Sequence, residues 1–144
     1  MLKILVPIDG SDQSGRIIAR LLKLVDLYKD GVELHVLNVQ HQIPYGNRIT
    51  SVIGHDQINQ YHHEQGDIAL KSTLATLDAA KVAYKQHISV GDAAEVILQF
   101  AKEKDCSQIF MGTHGMGAVS GLLLGSVATK VVHLSTIPVT LVRE

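Results

Sequence analysis

"KILVPIDGS", residues Lys3 to Ser11, is a nearly continuous apolar run closed by Asp9-Gly10-Ser11. A short apolar run that ends in turn residues reads as a strand covered on both faces, the kind found inside a parallel sheet. The next segments fit that setting. Ile17, Leu21, Leu24, Val25 and Tyr28 recur at helical spacing and predict a helix ending at Asp30-Gly31, and "VELHVLNV" (Val32 to Val39) is a second strand.

Farther along, Gln40 to about Gly54 shows no period and is punctuated by Pro44, Gly46 and Asn47, so a loop is expected. Leu70, Leu74 and Leu77 mark a helix after the polar stretch "INQYHHEQGD", and Tyr84 to Val90 alternates as a strand does. Asp92 is expected to cap the next helix, with Glu95 three residues on and Ala93, Ile97, Phe100 and Ala101 as its apolar stripe. Gln108 to Met111 is a short strand, Ser126 to Leu134 a helix, and Ile137 to Val142 the last strand.

Strands alternating with helices imply a doubly wound, mostly parallel α/β sheet with helices on both faces. The first and fourth strands are almost wholly apolar and belong at its centre. The third carries Lys85 and Gln86 and the fifth contains Pro138, which removes a ladder donor; both suit edges. The order 3-2-1-4-5 satisfies all four conditions. With right-handed crossovers the winding reverses between strands one and four, and ligands of open α/β sheets bind beyond the carboxyl ends at that point. Those ends are Pro7-Ile8-Asp9 and Met111-Gly112.

The second end opens "MGTHGMGAVSGLLLGS" (Met111 to Ser126), with five of the chain's 12 glycines and no Lys, Arg, Asp or Glu. Glycines permit positive φ and let a ligand approach the main chain, and successive N–H groups form a nest for anions. The segment runs into a helix start at Gly125-Ser126, where free N–H groups, the helix dipole and the Ser126 hydroxyl favour a phosphate. Amides rather than cations would then hold it. The alternative is a flexible connection with Ser126 as an ordinary N-cap. Walker A is excluded by the missing Lys, and G-x-G-x-x-G by a spacing one residue too long. An acceptor Asp at the end of strand three is lacking as well, because Asp92 starts a helix.

Gly112, Gly115, Gly125 and Ser126 fill the pattern G-x2-G-x9-G-[ST] without gaps. With "ILVPIDGS" at the start, "ELHVLNV" in strand two and "IPVTLVRE" at the end, the whole chain resembles the universal stress protein family. The resemblance implies the adenine-nucleotide α-hydrolase-like fold and the family's ATP-binding branch. By it, Pro7, Ile8 and Asp9 lie at the adenosine end, with Asp9 reaching ribose or adenine. Val36 packs on the adenine, and Met111 and Gly112 line the base and ribose side. Gly115, Gly125, Ser126 and Val127 hold the phosphates of ATP (or ADP or AMP), with Mg²⁺ or Mn²⁺ bridging phosphate oxygens. Two features depart from many relatives: "MGAVSG" carries no cation, and Ala128 replaces a hydroxyl residue, a difference of roughly 0.5–1.5 kcal/mol if one hydrogen bond is lost.

Other residues have competing readings. Asp9 suits a turn as well as a ligand. His114 orients the loop, faces solvent or, when protonated, donates to phosphate. His55, His62 and His63 read as a solvated helix face rather than a zinc site, Lys130 as a surface residue, and Cys106 as a small buried hydrophobe.

Composition narrows the class. Thirteen basic and 14 acidic residues, with no like-charge block above two, give no footprint for nucleic acid. The single cysteine fits a reducing compartment. "MLKILVPIDG" is interrupted too early for a signal peptide, and no apolar run nears the roughly 20 residues of a membrane span. The expectation is one cytoplasmic domain, 1–144. No Ser-His-Asp or Cys-His set is suggested, so at most slow ATP hydrolysis is expected of a nucleotide-dependent stress or regulatory module. A nucleotide-independent interaction protein of the same fold is the second reading. A nucleotide-dependent enzyme is the third, for which 144 residues leave little room. Strand 137–142 is an apolar edge, which points to a two-fold homodimer.

Overall fold

The computed structural model describes residues 1–43, 54–115 and 123–143. Five strands, β1 (Leu2–Pro7), β2 (Val32–Gln40), β3 (Tyr84–Val90), β4 (Gln108–Gly112) and β5 (Val139–Val142), form one sheet in the order β3-β2-β1-β4-β5. Every pairing is parallel. The described helices are α1 (Gln13–Val25), α2 (His55–Ala79), α3 (Ala93–Glu103) and α4 (Ser126–Leu134).

The apolar run of β1 is continuous because its residues serve two cores in turn. Ile4 and Val6 pack with Val36, Ile17, Leu21, Leu70 and Leu77 beneath α1 and α2. Leu5 points the other way and joins Leu37, Ala94, Ile97, Ala128 and Val131 beneath α3 and α4. Full burial of such side chains stabilises the fold by about 1.5–3 kcal/mol each. Pro138 lies just before β5, where its missing donor costs nothing and its carbonyl accepts the Ile109 N–H at 2.9 Å.

Two helix boundaries differ from the sequence expectation. α1 stops at Val25 instead of running to Asp30, because the N–H groups of Leu27 and Tyr28 turn back to Leu24 and Val25 in tight i→i+3 bonds. α2 begins at His55 and includes the whole polar stretch. Its inner stripe starts with His62 and Gly66 before reaching Leu70, Thr73 and Leu77, so apolar periodicity is missing from its first turns. Gly66 is needed there for contact: a Cβ would come within 2.6 Å of Ile88 Cδ1. Most of the loop expected after Gln40, and the "MGAVSG" stretch, lie outside the described residues.

Cys106 is buried, and burial pushes its thiol pKa up, away from nucleophilic use. Among the described residues no helix is long and apolar enough to cross a membrane.

Candidate functional site

The ladder between β1 and β2 runs from Leu2–Val32 to Pro7–Leu37, whereas β1 and β4 pair at Ile4–Gln108 and Leu5–Ile109 alone. Beyond Leu5 the two central strands part. The end of β1 leans on β2: the Ile8 N–H donates to the Leu37 carbonyl at 2.8 Å, and buried Asn38 donates through Nδ2 to the Ile8 carbonyl at 2.9 Å. The end of β4 leans on β5 through Met111–Leu141 and Gly112–Val142, extended by Thr113 N–H to the Val142 carbonyl at 3.2 Å. A gap therefore opens between the carboxyl ends, where the winding reverses.

Asp9 spans this gap. Its Oδ1 accepts the Ser11 N–H at 2.9 Å, which closes the turn after β1, and Gly10 follows with φ +83°. Its Oδ2 reaches Gly115 so closely that a Cβ there would fall on the carboxylate. Turn residue and cleft residue are thus one and the same. The other glycines of the pattern have tight surroundings that a small shift could relieve. A Cβ at Gly112 would meet Ile17 Cδ1 at 3.0 Å, and one at Gly125 would meet the Thr113 carbonyl at 3.2 Å. Gly125 donates its N–H to that same carbonyl at 2.6 Å. None of the three has positive φ, so their freedom is spent on close approach rather than left-handed turns.

The donors lie at the start of α4. Gly125 is the N-cap in extended conformation, no side chain among the described residues caps the helix, and no acidic residue occupies its first turn. Ser126 is the first helical residue rather than the cap and is exposed. The N–H groups of Ser126, Val127 and Ala128 have no intrahelical acceptor. The first to find one is Thr129, whose N–H and Oγ1 both donate to the Gly125 carbonyl, at 2.9 and 2.8 Å. His114 is half-buried, and its Nδ1 lies 3.0 Å from the Thr113 hydroxyl, a contact that orients the loop.

Asp9, Gly115 and Ser126 are exposed at the mouth of the gap, with Pro7 and Val127 half-buried beside them. Ile8, Met111 and Gly112 are buried at the same strand ends. Val36 is not brought to the mouth: it lies opposite Val6 in mid-strand, 0% exposed, within the core under α1 and α2. One other residue differs from its sequence reading, and Lys130 is at the surface as expected. His62 is buried at 5% exposure rather than solvated, while neighbouring His63 is exposed and 3.4 Å from Asp67. Lys130 is a clamp, with Nζ 3.3 Å from Asp92 and 3.4 Å from Glu95 of α3. A shallow hollow of about 440 Å³ lies away from the gap, between α2 and Tyr84 at the amino end of β3.

Such a gap offers amides and one hydroxyl to an anion, and the Asp9 carboxylate as an acceptor. The chain resembles known proteins over its whole length. The universal stress protein family model matches residues 1–143. The Bacillus subtilis universal stress protein YxiE is 31% identical over 147 residues, covering 98% of each chain. The solved structure of MJ0577 superposes with a TM-score of 0.83 at 26% identity, covering 99% of this chain and 96% of that one. The Archaeoglobus fulgidus universal stress protein in complex with dAMP gives 0.68 at 20% identity, covering 98% and 97%. This chain belongs to the universal stress protein family.

Proposed function

We propose that the chain binds an adenine nucleotide in the gap between β1 and β4 and acts as a nucleotide-dependent regulatory module. Asp9, with Pro7 and Ile8, takes the adenosine end, and Met111 and Gly112 line the base and ribose side. Gly115, Gly125, Ser126 and Val127 receive the phosphates. The observation that carries this reading is the start of α4, without a side-chain cap among the described residues, beside a glycine main chain that crowds Asp9 and is bonded to the Thr113 carbonyl. The dAMP complex of the Archaeoglobus relative supports the ligand class. With no acidic residue in the first turn of α4, the donor set fits a phosphate chain, and a divalent cation such as Mg²⁺ or Mn²⁺ would ride on phosphate oxygens. The resident ligand is proposed to be ATP.

The first test is to denature freshly purified protein and identify released small molecules by mass spectrometry, followed by titration of the stripped protein with ATP and Mg²⁺. Stoichiometric release or saturable binding supports the reading. Absence of both at millimolar ATP sinks it in favour of a nucleotide-independent scaffold.

Association is proposed to run through the β5 edge, where Val139 and Leu141 are only half-buried within one chain. Val139→Lys is expected to convert a dimer into monomers in sedimentation. An unchanged species would move the interface elsewhere.

A further inference from the structure

A second polar cluster lies on the opposite side of β1 from β4 and takes no part in the gap. His35 is 3% exposed on the face of β2 that packs under α3, yet both of its ring nitrogens are engaged. Nε2 lies 2.8 Å from Glu33 Oε1, and Nδ1 lies 2.9 Å from His87 Nε2 on the edge strand β3. Phe100 of α3 roofs both rings, at 5.8 and 4.6 Å between centroids.

The geometry of the two rings decides what the pair can hold. Their planes differ by only 22°, and the centroids are 5.1 Å apart, about the N···N separation plus two ring radii. Nδ1 and Nε2 therefore face each other along the line joining the rings. A metal ion has no room between lone pairs that point at one another this closely; a proton does. Among the described residues, moreover, no group of three His, Cys, Asp or Glu could hold a metal.

We propose that Glu33, His35 and His87 form a proton-sharing chain that ties β3 to β2 and accepts one added proton intact, but not two. With both rings neutral, ionised Glu33 accepts the His35 Nε2–H, which leaves His35 Nδ1 bare to accept the His87 Nε2–H. An added proton enters at His87 Nδ1. The central proton then shifts to His35, and positive charge comes to rest beside Glu33 with every hydrogen bond kept. A second proton puts N–H against N–H in the centre, breaking the bond and setting two cations side by side.

The surrounding charges favour this behaviour. Hydrogen bonds from His35 and then Lys85 hold the Glu33 carboxyl below its ordinary range, so it stays ionised. Burial, followed by the charges of His35, Lys104 after α3 and Lys85 on β3, holds His87 below the ordinary imidazole range. A histidine whose folded pKa is depressed stabilises the fold at high pH, and that stability drains away as pH falls below about 6.5. The cluster is thus a latch on the β3 edge that weakens on acidification.

Two-bond ¹H–¹⁵N spectra of the wild-type chain test the proton count directly. Near pH 7.5 both rings should carry their proton on Nε2, and acidification should change the two together in one coupled step before a second. Separate, independent titrations of the two rings would overturn the proposal. His87→Gln keeps a donor for His35 Nδ1 and cannot titrate. Between pH 6.5 and 5 the wild type should lose about 4 °C of melting temperature more than this variant does. Parallel profiles would overturn the latch even if the spectra show a shared proton.

Discussion

α3 and α4 both begin at the carboxyl end of the sheet, on the same face, and they finish their first turns in opposite ways. At α3, Asp92 Oδ2 accepts the Glu95 N–H at 3.1 Å, Lys130 approaches the same carboxylate, and Glu95 adds negative charge to the first turn. At α4 the cap is Gly125, without side-chain oxygen or acid. An α-helix leaves its first N–H groups unsatisfied wherever it starts. One start therefore caps the Glu95 N–H and complements its own dipole, and the other has neither device among the described residues. That contrast, more than the glycine count, marks the end that can take an anion.

The variant expected to erase the contrast most completely is Gly115→Val. Its Cβ would displace the Asp9 carboxylate and its branches would cover the amides, so nucleotide affinity should fall at least about 100-fold, or about 2.7 kcal/mol. Circular dichroism should remain native, since Gly115 lies at the surface. Unchanged affinity in a calorimetric titration would remove the amide cradle from the binding reading.

Ser126→Asp is the sharper change, because it gives α4 the acidic first turn that α3 already has. Helix stability should rise slightly, by about 0.3–1 kcal/mol. Phosphate would meet a carboxylate in place of a hydroxyl, and affinity should drop about tenfold or more. Stability and binding are thus predicted to move in opposite directions. A variant that loses both would show only that Ser126 supports the fold.

The reverse experiment removes the cap from α3. Asp92→Ala should cost about 1 kcal/mol, or roughly 4 °C in melting temperature, with nucleotide affinity intact. The Glu95 N–H and then Lys130 hold the Asp92 carboxyl below its ordinary range. A depressed carboxyl contributes stability above its unfolded pKa of about 4 and loses it as pH falls through the folded value. The stability gap between wild type and Asp92→Ala should therefore be full at pH 7 and close in acid. A gap independent of pH would mean that the carboxylate is not the capping group.

Much of the architecture was legible in the sequence because it depends on local residue types. Strand order followed from the apolar β1 and β4, from Lys85 and Gln86, and from Pro138; the gap followed from the order. The Asp92 cap was readable from its spacing to Glu95. Contacts between distant residues were not. The glycines of the pattern suggested positive φ, but at Gly115 the Asp9 carboxylate stands where a Cβ would go, and at Gly125 a Cβ would crowd the Thr113 carbonyl. The first turns of α2 hid behind His62 and Gly66, a polar and a small residue on an inner face that periodicity expects to be apolar. The His35–His87 pair required the register that sets Leu37 beside His87 and His35 beside Lys85.

Lys130 tests whether the two helix starts are independent, and it carries the smallest expected effect. It stands one turn inside α4 yet spends its charge on Asp92 and Glu95 of α3; the Asp92 hydrogen bond, with burial opposing, raises its pKa. Exposed ion pairs of this kind contribute little and are screened by salt. Lys130→Met keeps the aliphatic stem and should lower stability marginally at low ionic strength, with the difference gone by about 0.5 M salt. Nucleotide affinity should stay within about twofold of wild type, because the Gly125 N–H bond to Thr113, not the clamp, sets where α4 begins. A larger loss in the same titration would show that the start of α4 is positioned through α3. The capped helix would then be part of the binding site's support rather than its counterexample.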